Sequence, residues 1–222
     1  MSTSLRPIRG CIFDGDGTVM DSMGIWVSAG VRYLARHGIG YPENLPRELG
    51  PLGLNDTIRL LKDRFSIPRS EEEIFADVWA DITRFYQEEA VCKPGMKDLL
   101  PELKARGIPM VLATAGDLSL LEPALRREGV FGCFDRCISC KEHHTDKNQP
   151  LIYETGAALM GLRPEEVAVF EDAHYALDSA RRAGCWTVRV TEPAFAGKDF
   201  PPVDLWVEDF THMDLFYARL PG

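Results

Sequence analysis

Between Cys11 and Thr18 the chain reads Cys-Ile-Phe-Asp-Gly-Asp-Gly-Thr, an apolar run that stops abruptly at two carboxylates and two glycines. An apolar run bounded by Gly and Asp reads as a buried strand leaving its sheet through a tight loop. Ligands of open α/β sheets bind just beyond the carboxyl ends of the strands. Asp14 is therefore expected as the last strand residue, with Asp16 in the loop beyond it. Carboxylates this close raise each other's proton affinity unless a cation or a proton lies between them. A hard divalent ion such as Mg²⁺ meets that need, because it takes one or two carboxylates and leaves room for phosphate oxygens. An acidic turn in which glycine only supplies backbone angles is the plainer reading of the same residues.

After Lys93 apolar runs and helical patterns alternate. The pattern predicts a helix over residues 96–106, a strand over 109–113 and a short strand over 136–139. A helix over 151–160, a strand over 166–170, a helix over 175–183 and strands over 185–190 and 204–207 follow, the last at an edge before a short helix. Such alternation is the signature of a doubly wound parallel sheet, a Rossmann-like α/β core. Three further stretches stand at or near the strand ends. Thr114-Ala115-Gly116-Asp117 offers a hydroxyl and exposed amides that suit a phosphoryl oxygen, or a simple helix cap. Lys147 precedes a helix whose dipole it opposes, which points either to an anionic partner or to an ordinary solvated lysine. Glu171-Asp172 sets two acids directly after a buried apolar strand, where packing gives them no reason to be.

Residues 20–90 carry no strand pattern. Asp21-Ser22 is a plausible polar start for a helix that runs to Gly38, and residues 54–65 and 71–89 read as two more helices. The expected organisation is an α/β core from residues 1–19 and 91–222 with a helical cap, residues 20–90, inserted as a lid over the strand ends. A helical subdomain with no role at the site fits the same periodicity.

The net charge of −9 argues against a nucleic-acid surface. No apolar run approaches the roughly 20 residues that a membrane helix needs. The first residues show no signal-peptide pattern, so a cytoplasmic protein with reduced cysteines is expected. Cys133, Cys137 and Cys140, followed by His143 and His144, superficially suggest zinc. Residues 137 and 140 would point to opposite faces of a strand, and buried thiols are the favoured reading. His143 and His144 lie close enough to Lys147 in sequence to reach the rim of a site.

The Asp14-Gly-Asp16-Gly-Thr18 pattern after an apolar strand resembles the first motif of the haloacid dehalogenase superfamily. Thr114 resembles the second motif, Lys147-Asn-Gln-Pro150 the third and Glu171-Asp172 the fourth, in the family's order across nearly the whole chain. Gly15, Asn148 and Ala176 depart from the usual residues. The resemblance implies a phosphatase in which Asp14 is the nucleophile, forming an aspartyl phosphate, and Asp16 the general acid and base. It implies Mg²⁺ held by Asp14, the Asp16 backbone carbonyl, Asp172 and Glu171, with Lys147 and Thr114 on the phosphoryl oxygens and Ala115 beside them. The substrate implied is a small phosphorylated metabolite, selected by cap residues such as Trp26 and those between Gly50 and Thr57. Dehalogenases lack the second acid, which here is Asp16, and phosphonatases use a cap lysine that this chain lacks between Gly50 and Asp56. The related β-phosphoglucomutases carry a cap histidine where this chain has Trp26, so phosphomonoester hydrolysis leads. A sugar-phosphate mutase and a non-catalytic binding protein are the alternatives.

Overall fold

The computed structural model describes residues 7–49 and 52–221. In chain order the elements are β1 (Gly10–Phe13), α1 (Met23–Arg36), α2 (Leu45–Leu49), α3 (Leu54–Arg64), α4 (Glu71–Glu88), α5 (Met96–Ala105), β2 (Met110–Thr114) and α6 (Leu118–Arg127). Then come β3 (Arg136–Ser139), α7 (Leu151–Leu159), β4 (Val167–Glu171), α8 (His174–Ala183), β5 (Trp186–Val190), β6 (Leu205–Val207) and α9 (Asp214–Tyr217). The strands form one parallel sheet in the order β3-β2-β1-β4-β5-β6. That is the doubly wound order, and its switch point lies between β1 and β4, where such sheets open a ligand crevice.

β1, β2 and β4 are buried along their whole length, which is why they read as unbroken apolar runs. Register pairs Phe13 with Phe170, and their rings stack 4.4 Å apart. Side chains alternate along a strand, so the next residue of each, Asp14 and Glu171, turns to the opposite face. On that face Ile12, Val111, Val167 and Val169 pack against Ile152, Tyr153 and Ala157 of α7 and Ala176 and Ala180 of α8. Gly156 lets α7 approach closely, since a Cβ there would lie 2.6 Å from Ile12 Cδ1.

The chain divides into two compact units, one ending at Asp21 and resuming at Val91, the other Ser22–Ala90. In the first unit the two crossing segments run side by side. Asp21 N–H donates to the Val91 carbonyl at 2.8 Å, Lys93 N–H donates to Val19 at 2.9 Å, and Met20 and Cys92 form an antiparallel bridge. The second unit buries Ile25, Tyr33 and Leu34 of α1, Ile58 and Leu61 of α3, and Ile74, Val78, Ile82 and Tyr86 of α4. α4 starts with a capping box, Ser70 and Glu73 each accepting from the other's amide.

Some local expectations differ. Asp14 lies one residue beyond β1, while Glu171 is the last residue of β4 because pairing with Arg189 of β5 carries the strand one residue further. Ser22 occupies the N-cap position of α1, but its side chain makes no capping bond. The cap of α6 is Asp117, whose carboxylate accepts from Ser119 N–H at 2.9 Å; Thr114 is not the cap. α2 is a helix that the sequence pattern did not reveal.

Candidate active site

The loop after β1 is closed by its own backbone. Gly17 takes φ +82°, open to glycine at little cost. Its N–H donates to Met20 and the N–H of Met20 donates back to Gly15, both at 2.8 Å. Asp14 N–H donates to the Phe170 carbonyl at 3.0 Å, which ties the start of the loop to β4. Gly15 leaves room for Leu121, whose Cδ1 would lie 2.5 Å from a Cβ at that position. The space a bulky residue would fill after Asp14 is thus taken by a side chain from α6.

One oxygen each of Asp14, Glu171 and Asp172, all buried, lie within 4.8 Å of one another. Lys147, only 4 % exposed, donates from Nζ to Asp14 Oδ1 and to Glu171 Oε1. Tyr153 O–H donates to the same Glu171 Oε1 at 2.9 Å. Glu171 Oε2 and Asp172 Oδ2 are buried with no hydrogen-bond partner. A buried polar group left unpaired costs on the order of 1–3 kcal/mol, more when charged. Three carboxylates around one ammonium leave negative charge uncompensated, and an all-oxygen donor set suits a hard cation such as Mg²⁺. The residues present fit that ion.

Burial pushes the Glu171 carboxyl up to about 7, reinforced by Asp14 and opposed by Lys147 and Tyr153. Burial also raises Asp14, against the pull of Lys147, and raises Asp172 well above the usual carboxylate range, helped by Asp14 and Glu171. For Lys147 burial acts downward, but Asp14 and Glu171 outweigh it and hold the ammonium charged. A carboxyl whose folded pKa stands above its unfolded value keeps a proton that the unfolded chain has released. Stability from Glu171 is therefore fully present below the ordinary 4.5 and lost as pH rises toward about 7. In the presence of a chelator the urea midpoint is expected to fall between about pH 5 and about pH 7.5. Added Mg²⁺, which favours the charged carboxylates, should flatten that fall. A midpoint in chelator that climbs through this interval contradicts the arrangement.

The other sequence-derived residues are placed as follows. Asp16 is half-buried, and its Oδ2 lies 3.4 Å from where a Cβ of Gly116 would sit, with Thr114 Oγ1 at 3.5 Å from the same point. The Asp16 carboxylate thus faces the end of β2 and is not part of the three-acid group. Thr114 is buried, and its Oγ1 accepts from Gly116 N–H at 3.0 Å; Ala115 is exposed. Trp26 lies on α1, donates from Nε1 to Tyr86 O–H at 2.9 Å, and sets its ring edge-on to Trp79. Gly50 and Pro51 lie outside the described residues. His143 is half-buried and His144 exposed, in the turn after β3. Cys133 and Cys140 are buried and Cys137 half-buried. Among the described residues the three acids form the one metal-capable cluster. Sequence reasoning did not single out Tyr153, although a tyrosine on the buried stripe of a helix must find a partner for its hydroxyl.

The profile of the haloacid dehalogenase-like hydrolases matches residues 8–184. Hexitol phosphatase A of Escherichia coli is 31% identical over 192 residues, covering 84% of each chain. A phosphorylated carbohydrates phosphatase of Thermotoga maritima is 28% identical over 173 residues, 78% of this chain and 80% of that one. A Thermotoga maritima crystal structure provisionally described as a beta-phosphoglucomutase superposes with a TM-score of 0.85. It is 24% identical and covers 95% of this chain and 99% of its own.

Proposed function

The chain belongs to the haloacid dehalogenase-like hydrolase family, and from that premise we propose that it is a Mg²⁺-dependent phosphatase of a small phosphorylated sugar or sugar alcohol. The observation that carries the reading is the buried group of Asp14, Glu171 and Asp172 with Lys147 shared between two of its members. Asp14, Glu171, Asp172 and the Asp16 backbone carbonyl would hold the ion. When bound, it neutralises charge between a carboxylate nucleophile and a phosphoryl group.

The chain's own groups then divide the work. Asp14 attacks phosphorus, and the bond to the leaving oxygen breaks as Asp16 protonates that oxygen. Asp16 next takes a proton from water as the water attacks the phosphorus of the aspartyl phosphate, which frees phosphate and restores Asp14. Lys147 and the Thr114 hydroxyl steady the phosphoryl oxygens, with Ala115 beside them, a role that is electrostatic and already in place before substrate arrives. The unit Ser22–Ala90 is the proposed source of substrate selection, with Trp26 among its candidates. The substrate class follows two of the relatives, one named a hexitol phosphatase and the other a phosphorylated carbohydrates phosphatase. Among the described residues no helix is long and apolar enough to cross a membrane, and a cytoplasmic location is part of the proposal.

Hydrolysis is preferred to phosphate migration because the Trp26 side chain has no acid–base group and spends its one donor on Tyr86. A panel of hexose and hexitol monophosphates, assayed for free phosphate with Mg²⁺ and with chelator, tests the reading. Phosphate release that needs Mg²⁺ is expected. Isomerised sugar phosphate without release would establish a mutase, and no turnover of any ester would favour a binding protein.

A further inference from the structure

Tyr153 is fully buried, yet its hydroxyl ends on a carboxylate of the acid cluster. It has no part in the phosphoryl transfer outlined above. Two donors, Lys147 and Tyr153, meet on Oε1 of Glu171, while Oε2 has none. Lys147 alone does not fix this carboxylate, because the same ammonium also serves Asp14. We propose that Tyr153 is a positioning residue for the divalent cation, committing Oε1 of Glu171 so that Oε2 is the oxygen presented to the ion. The proposal rests on the metal reading given above.

The chemistry of a phenol suits this task. A second lysine would neutralise Glu171 and compete with the cation, whereas a neutral O–H donor orients the carboxylate and leaves its charge available. The placement is built into the fold. Tyr153 lies in the first turn of α7, and Gly156 on the same helix lets that turn settle against Ile12 of β1. The helix that covers the sheet thereby brings its hydroxyl to the end of β4.

Tyr153→Phe removes the oxygen and keeps the ring in its pocket. Mn²⁺ binding to substrate-free protein, read from the paramagnetic signal of the free ion, is the first measurement. The dissociation constant is expected to rise by on the order of 10-fold. In turnover the Mg²⁺ concentration for half activation should rise in parallel, while KM for substrate at saturating Mg²⁺ stays put. In a Glu171→Gln background the same change should add nothing, since the hydroxyl acts through that carboxylate. Wild-type protein that binds Mn²⁺ alongside a Tyr153→Phe variant that binds it equally well would overturn the positioning role alone. An equal loss in both backgrounds would overturn it too. Wild-type protein that binds no Mn²⁺ would overturn the metal reading together with it.

Discussion

Asp14→Asn is expected to abolish turnover, with kcat falling by on the order of 10⁴-fold or more. The amide has nearly the shape of the carboxylate but lacks the charge needed to attack phosphorus. The backbone bond from residue 14 to Phe170 is untouched, so the loop should keep its place. Fold stability in chelator should not suffer, because one of three crowded buried negative charges is gone and Lys147 retains Glu171. The check pairs phosphate release with a thermal midpoint and circular dichroism. A folded Asp14→Asn protein that still turns over would remove Asp14 from the role of nucleophile.

Lys147→Met should carry the largest stability cost at the site and a severe loss of activity. The ammonium is the cation closest to two buried carboxylates, and removing one partner of such a group typically costs about 3–5 kcal/mol. The loss should be greatest in chelator at alkaline pH, where Glu171 is charged. It should shrink as pH falls from alkaline values toward about 7, because without the ammonium that holds it down the Glu171 carboxyl takes up its proton at higher pH than in wild type. Activity should drop on the order of 10³-fold, since the preorganised positive charge proposed to face the phosphoryl oxygens is lost. Urea unfolding at two pH values, with and without Mg²⁺, reads the first effect and steady-state kinetics the second. A variant as stable as wild type in chelator at alkaline pH would mean that the ammonium does not hold the acid cluster together.

The sheet and the buried acid cluster are largely readable in the residues because both arise from local pattern. Strands buried on both faces must be continuously apolar, so a carboxylate at the end of one stands out, as Asp14, Glu171 and Asp172 do. Tertiary contacts are less legible. No periodicity announces that Leu121 fills the space beside Gly15, or that Tyr153 reaches Glu171 from a helix packed close through Gly156. Five residues, as in α2, are too few to display a helical period. The strand ends shift by a residue because parallel pairing, as between Glu171 and Arg189, decides where a ladder stops, and that partner lies far along the chain. Ser22 shows the converse: its residue type suits a cap, but its backbone there does not take the extended conformation of a capping residue and its side chain makes no capping bond.

The proposed phosphoryl transfer depends on Asp14 taking up the phosphoryl group itself. Acid quench of enzyme turning over a sugar monophosphate, followed by reduction with tritiated borohydride and peptide mapping, looks for that bond directly, because reduction of the acyl phosphate expels phosphate and leaves tritium on the residue that carried it. Label on the peptide that contains Asp14, with conversion of that residue to homoserine, is the predicted result. Label on another residue, or steady phosphate release with no labelled protein at any quench time, would contradict it.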